Sequence, residues 1–464
     1  TQFSTTTKLK GIATFVLGAQ SFSGTNTNGA AKPFYGVLNN ALYANGQATP
    51  YTTAYNQASL GATTFNYDIR LNFDTSFTGK DLLRTTLRAA NASGANPAAV
   101  GSGLSNMEAF FEQPAGDNVI GVNRLFYSFP FGQELSFAAG PMVRTDDAGM
   151  LGLWPSVYPA DTVLDFFTYA GAPGAYNLNG LGAGAGFVYS PNAVKGLTIS
   201  QNYVSANGSS YANGTMANAG SGNPANGGVW TNGSGGVAVS QIGYAGNKTP
   251  LIGGSYALAF AYTYSQNVGL PSGTPMAALL SDYNNGGTGF AGQPSSNGYS
   301  SGNNYGLSGY WKPEKSGLIP SISWGFGGGS YNIGANSAYG TTAVKGITTA
   351  SWYTGLQWDD AFLKGNALGM GVGQAPFVTQ MGSAAANTPR AGIASSGWTN
   401  GANDANYVWE WWYKFQVTDN ITITPAIYYI SNYDGQFGKL NTATGGQGAS
   451  DNLFGGVLKT TFKF

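Results

Sequence analysis

The 464-residue sequence contains no cysteine and no histidine. Without cysteine there is no disulfide framework and no thiolate metal site. Without histidine the usual acid-base side chain and the commonest transition-metal ligand are missing, and no Ser-His-Asp triad can be assembled. Charge is scarce as well. Asp, Glu, Lys and Arg make up 9% of the chain and cancel to a net charge of zero, whereas about a quarter of an ordinary soluble domain is charged. Such a surface is not built mainly for bulk water, and zero net charge gives no support for nucleic-acid binding. Long hydrophobic runs are missing too. Gly11 to Ala19 and Leu251 to Tyr264 are short or rich in Gly, Ser, Thr and Tyr, far from the roughly 20 apolar residues that a helical span needs. The chain opens at Thr1 with no methionine and no signal peptide, as a mature or trimmed chain would.

What is plentiful is glycine (71 residues), aromatics (14%) and alternation. In Phe65-Asn66-Tyr67-Asp68-Ile69-Arg70-Leu71-Asn72-Phe73-Asp74 bulky apolar residues alternate with polar ones, which in a strand gives one oily face and one wet face. A soluble sandwich and a membrane barrel both use such strands, with the faces turned opposite ways. Sixteen runs of this kind follow one another from Lys8 to Phe464, typically of about ten residues, the length of a tilted membrane strand. Their connections alternate between short turns holding Gly, Pro, Asn or Asp, such as Asp419 to Asn420, and long polar segments such as Ser21 to Ala62. Strict alternation predicts an antiparallel meander with all short turns at one rim and all long loops at the other. That is the outer-membrane pattern. Disordered linkers between small domains would leave only isolated hairpins, which are marginally stable. The expected fold is therefore all-β: one domain spanning residues 1–464, a closed antiparallel transmembrane β-barrel of about 16 strands enclosing an aqueous channel.

The alternation also sorts the charges. Arg70, Arg84, Arg88, Arg124 and Arg144, five of six arginines, fall on the polar faces of four consecutive runs and are expected to form a pore-lining basic arc. Aromatics gather near run ends, among them Phe65, Phe73, Tyr127, Phe129, Trp409 and Trp411, as interfacial girdles do. The third long connection, residues 145–181, is the most acidic, with Asp146, Asp147, Asp161 and Asp165 and no Lys or Arg. Carboxylates there, facing the guanidinium groups across an eyelet, would set a transverse field that filters ions. Other candidates are weaker. Glu108 and Glu112 would share a face only if their loop made a helical turn, and a solvated face suits them better than a metal site. Gly182 to Gly186 lacks the helix a phosphate loop needs and reads as close strand packing. No enzyme, metal or cofactor function is expected.

The opening Phe3-Ser4-Thr5-Thr6-Thr7-Lys8-Leu9-Lys10-Gly11-Ile12-Ala13-Thr14-Phe15-Val16-Leu17-Gly18-Ala19 resembles the start of the barrel in cyanobacterial major outer-membrane porins, which are similar to the carbohydrate-selective OprB-like superfamily. The terminal strand fits: Leu458, Phe462 and Phe464 share a face, Lys459, Thr461 and Lys463 the other, and it resembles the aromatic-ended strand recognised by the barrel-assembly machinery. The resemblance implies an inward-folded third loop, homotrimers in the outer membrane, and passage of small solutes and inorganic ions. It also implies an amino-terminal surface-layer-homology domain, absent from these residues. The expected function is a passive diffusion channel in contact with outer-membrane lipid. Alternatives are a sugar-selective channel, with lumen-face aromatics such as Trp412 stacking on sugar rings, and a surface adhesin or structural barrel.

Overall fold

Phe65 to Asp74 does form a two-faced strand. Phe65 is 68% exposed and meets Phe15 of the neighbouring strand edge to face, with centroids 6.2 Å apart, while Asp68 on the opposite face is buried. The computed structural model describes residues 6–24, 57–92, 104–209, 228–266, 301–332, 346–382, 404–433 and 451–464, with short gaps inside these ranges, residue 161 among them, and a few isolated positions between them. Sixteen strands run through them: β1 (Thr7–Gly24), β2 (Thr64–Thr75), β3 (Leu82–Ala90), β4 (Gly121–Phe131), β5 (Leu135–Arg144), β6 (Leu181–Tyr189), β7 (Leu197–Ser205), β8 (Gly236–Gly246), β9 (Ser255–Gln266), β10 (Ser301–Lys312), β11 (Ser321–Asn332), β12 (Gly346–Asp359), β13 (Ala367–Gly382), β14 (Val408–Thr418), β15 (Ile421–Ile430) and β16 (Asp451–Lys463).

Each strand pairs antiparallel with its neighbours in sequence, and β16 returns to β1, so the sheet closes as a 16-strand barrel. The closing seam runs from Ile12 opposite Lys463 to Gly24 opposite Asp451. Beyond it Gly11 and Phe464 exchange both backbone hydrogen bonds, at 2.6 and 3.0 Å. A Cβ on Gly11 would overlap the Phe464 ring, so glycine leaves room for the terminal aromatic. Full closure removes the edges that would otherwise expose unpaired backbone to lipid.

Strand ends agree with the sequence pattern to within a few residues, with one instructive difference. The apolar alternation opens only at Tyr305, yet β10 begins at Ser301, because Ser-Gly-Asn-Asn pairs with Gln266 to Thr263 of β9 without it. The outer face carries the apolar belt, with Leu9, Phe15, Leu17, Leu258, Phe260, Phe326 and Phe454 exposed. Near the short-turn rim Phe129 stands opposite Phe137, and Phe137 opposite Phe187. Their centroids are 5.8 and 6.3 Å apart, a row across β4, β5 and β6. Trp409 and Trp411 stack at 6.0 Å.

One residue departs from strict alternation. Val143, which strict alternation turns to lipid, is fully buried against Phe126, Ala138, Met150 and Val204. A bulge between Gly140 and Val143 inserts one extra residue, which shifts the alternation.

Candidate functional site

The polar faces of β2 and β3 bring the first arginines together. Arg70 Nε and Arg88 Nε share the two oxygens of Asp68 at 2.8 and 2.6 Å, and both guanidinium groups donate to the carbonyl of Ala109. Arg84 grips Asp74 through two nitrogens at 2.8 and 2.9 Å, with Lys10 on the same carboxylate at 3.0 Å. Arg124 pairs with Glu112 and Asp147, both at 3.0 Å, and Arg144 with Glu112 at 3.2 Å and Asp146 at 2.9 Å. Six cations thus meet six carboxylates when the 3.9 Å contact of Arg70 with Glu108 is included.

These are direct ion pairs, whereas the sequence reading set loop acids across an open gap from the wall. Asp146 and Asp147 lie against Arg144 and Arg124. Asp165 is elsewhere: it is 3% exposed and accepts a hydrogen bond from Tyr169 at 2.8 Å. Asp161 lies outside the described residues. Several partners were missed. Asp68 and Asp74 could have been found, since they share the polar face of β2 with Arg70. Glu112 could not. It follows a single 3-10 turn, Glu108–Phe110, and has φ of +60°, so it leaves the supposed helical face and reaches Arg124 and Arg144. It is therefore no solvated surface acid.

The described residues 106–112 of the second long connection thus lie inside the barrel alongside the third. Met107 and Leu164 form an antiparallel bridge, and the Asp165 and Glu108 amides donate to Asn106 and Val163 carbonyls at 2.8 and 3.2 Å.

From there the third loop spreads over the opposite wall, its backbone held by a polar side chain from each of β7 to β12, β14 and β16. Asn202 of β7 donates to the carbonyls of Thr145 and Met150, Gln241 of β8 to that of Leu153, and Thr263 of β9 to that of Ala175. Ser308 of β10 donates to Ala170 and Ser351 of β12 to Gly171, while Ser323 of β11 accepts from the Val157 and Tyr158 amides. On β14, Glu410 accepts from Tyr158 Oη at 2.8 Å and from the Leu164 amide at 2.9 Å. On β16, Lys459 Nζ donates to the Thr162 carbonyl at 3.2 Å.

Small residues make the bed. A Cβ on Gly371 would come within 2.9 Å of the Phe167 ring, and one on Gly373 within 2.8 Å of Phe166. Gly325 leaves room for the Ala170 carbonyl. The Gly182 to Gly186 run is likewise closely packed, with a Cβ on Gly186 lying 2.6 Å from Asn202 and 3.0 Å from the Met150 sulfur.

The loop electrostatics follow from burial and pairing. Burial opposes the charge of Glu112, but Arg144 and Arg124 outweigh it and hold the carboxyl below its ordinary value. Burial raises Asp147 in spite of Arg124. Asp165 is pushed up to about 7 by burial, which outweighs Tyr169 and Arg144. Burial, reinforced by Glu410, raises the Tyr158 phenol well above its usual range.

Trp412 does sit on the inner face, but its ring is 4% exposed and its indole donates to Tyr158 Oη at 2.9 Å. Its surface is used by the loop and not presented to the lumen.

A closed 16-strand antiparallel barrel with its third loop folded inward defines a porin. The match to known proteins makes this more particular: residues 166–464 match the profile of the carbohydrate-selective porin OprB family, and the chain belongs to that family. It is 28% identical over 479 aligned residues, all of this chain and 66% of the relative, to an uncharacterized Nostoc protein. An uncharacterized Synechocystis protein is 27% identical over 387 residues, 80% of this chain and 60% of the relative. The chain thus spans about two thirds or less of the length of these relatives. A high-pH structure of Pseudomonas putida OprB shares the fold, with a TM-score of 0.51 and 14% identity, covering 99% of this chain and 94% of that one. The chain forms a barrel of this outer-membrane porin family.

Proposed function

We propose that this porin is a passive diffusion channel for small hydrophilic solutes and inorganic ions, assembled as a homotrimer. The carrying observation is the bridge between Met107 and Leu164, which joins two inward loops into one partition inside the barrel. The partition is tied to the arginine wall through Ala109 and Glu112, and to the opposite wall through Glu410 and a row of hydroxyls. Solutes pass where partition and wall do not touch, down their gradients, and only small ones fit. In this reading Arg70, Arg84, Arg88, Arg124 and Arg144 line the wall of the passage, with Asp146 and Asp147 as loop acids that balance them. Asp165 keeps the loop seated from inside.

The second reading, sugar selectivity, is favoured by the name of the matching family. Against it, the Trp412 ring that suits sugar stacking is covered by Tyr158. Planar-bilayer recording of the purified protein separates the two. Steady ion current that added sugars leave unchanged is expected. Saturable block by a sugar would establish the sugar channel, and absence of ion current would overturn the diffusion reading.

A further inference from the structure

The cations of the inner wall are spread unevenly along the pore axis. Arg70, Arg88, Arg124 and Arg144 are met by carboxylates at contact, and Lys459 is buried and donates to the Thr162 carbonyl. A different group gathers near the short-turn rim. Lys8 and Lys10 share the inner face of β1, Lys8 stands opposite Asp74 of β2, and Asp74 opposite Arg84 of β3. On the other side of β1, Lys463 of β16 stands opposite Ile12. Strand rise and strand spacing place each of these four cations within roughly 10 Å of the next.

All four reach water. Lys10 is 62% exposed and Arg84 30%, and Lys8 and Lys463 are exposed. Asp74 alone answers Lys10 and Arg84 together. Among the described residues Lys8 and Lys463 make no ion pair within 4.0 Å, either with Asp419 of the adjoining turn or with the Phe464 carboxylate. Toward the long-loop rim the same strands carry no cation. Residues 13–24 of β1, 64–69 of β2 and 451–458 of β16 contain no Lys or Arg, and their charged residues are Asp68 and Asp451.

We propose that the short-turn mouth is a basic vestibule that gathers small inorganic anions at one end of the pore, so that the channel conducts unequally in the two directions. The proposal rests on the diffusion reading above. Fixed positive charge enriches anions in the short-turn half of the passage, whereas both ions carry current in the other half. A voltage that drives anions from the short-turn mouth toward the long loops crowds both ions where the halves meet and raises the conductance. The opposite voltage drains that junction. The effect depends on salt, because the screening length is about 10 Å at 0.1 M, the span of the vestibule cations, and about 3 Å at 1 M.

Two measurements test it, one of which needs no current. Single channels, each inserted in one orientation, are expected to pass unequal currents at opposite voltages in about 0.1 M KCl and nearly equal currents in about 1 M. Lys8→Gln with Lys463→Gln is expected to abolish the inequality. Lys8→Arg with Lys463→Arg is expected to keep it, as is Lys364→Gln on the turn from β12 to β13. In detergent, calorimetric titration with inorganic tripolyphosphate is expected to show binding weakened roughly threefold or more by the two glutamines together. A conducting protein with equal currents at low salt, or an inequality that survives the two glutamines, overturns the vestibule and leaves the diffusion reading standing. If nothing conducts, the diffusion reading fails, and tripolyphosphate binding indifferent to Lys8 and Lys463 overturns the vestibule as well.

Discussion

Tyr158 donates its phenolic hydrogen to Glu410 at 2.8 Å, linking the third loop to β14 inside the barrel. The same oxygen accepts from the Trp412 indole. Tyr158→Phe leaves a buried indole donor without its acceptor and Glu410 with one donor fewer, at a cost of about 1–3 kcal/mol. The loop is expected to sit less firmly, so single-channel conductance should rise and become noisier while the barrel remains folded. Bilayer traces identical to wild type would show that the contact does not hold the loop.

Arg88 and Arg84 should behave differently although they are neighbours on one face. Arg88 and Asp68 are each 2% exposed, whereas Arg84 is 30% exposed. Arg88→Ala is expected to cost about 3 kcal/mol, the lower end for breaking a buried pair, since Arg70 stays on Asp68. Arg84→Ala is expected to cost about 1 kcal/mol or less. Denaturant unfolding in micelles reads both.

The two substitutions together remove two positive charges from this wall, leaving Asp68 to Arg70 and Asp74 to Lys10, and should shift selectivity toward cations. Unchanged reversal potentials would mean that this wall does not face the passage.

Asp165 gives the loop a pH dependence. Its folded value of about 7 lies above the ordinary 3.8, so the folded loop binds a proton that the released loop does not hold between these values. Its neutral form is favoured inside, and the stabilisation is full below about 4 and is lost as pH rises through about 7. Protease sensitivity of the loop should rise from pH 5 to pH 8, and Asp165→Asn should flatten that rise.

The glycine bed predicts a steric effect. Gly371→Val places methyl groups where the Phe167 ring and the Tyr158 hydroxyl already lie within about 3 Å of a Cβ. Overpacking of this kind costs about 1–3 kcal/mol. The expected outcome is a displaced third loop, seen as larger conductance and faster liposome swelling with small sugars.

Particular residues show how far the sequence could be read. Phe65 and Asp68 reveal their faces by parity alone, because a strand has a period of two and lipid and water tolerate different side chains. Arg70, Arg84 and Arg88 were placed on one wall by the same rule. Val143 escaped it because a bulge leaves no mark in composition. Glu112 escaped because a loop residue with positive φ has no periodicity to follow.

Local pattern is enough for the barrel: sixteen alternating runs, short and long connections in turn, and an aromatic last strand fit a closed meander that pairs its backbone in lipid. What fills the barrel depends on long-range packing. Which carboxylate meets which guanidinium, that Met107 bridges to Leu164, and that Glu410 accepts from Tyr158 are contacts between residues far apart in the chain. They are set by the curvature of the closed wall and the fit of two loops inside it, and neither is written in local pattern.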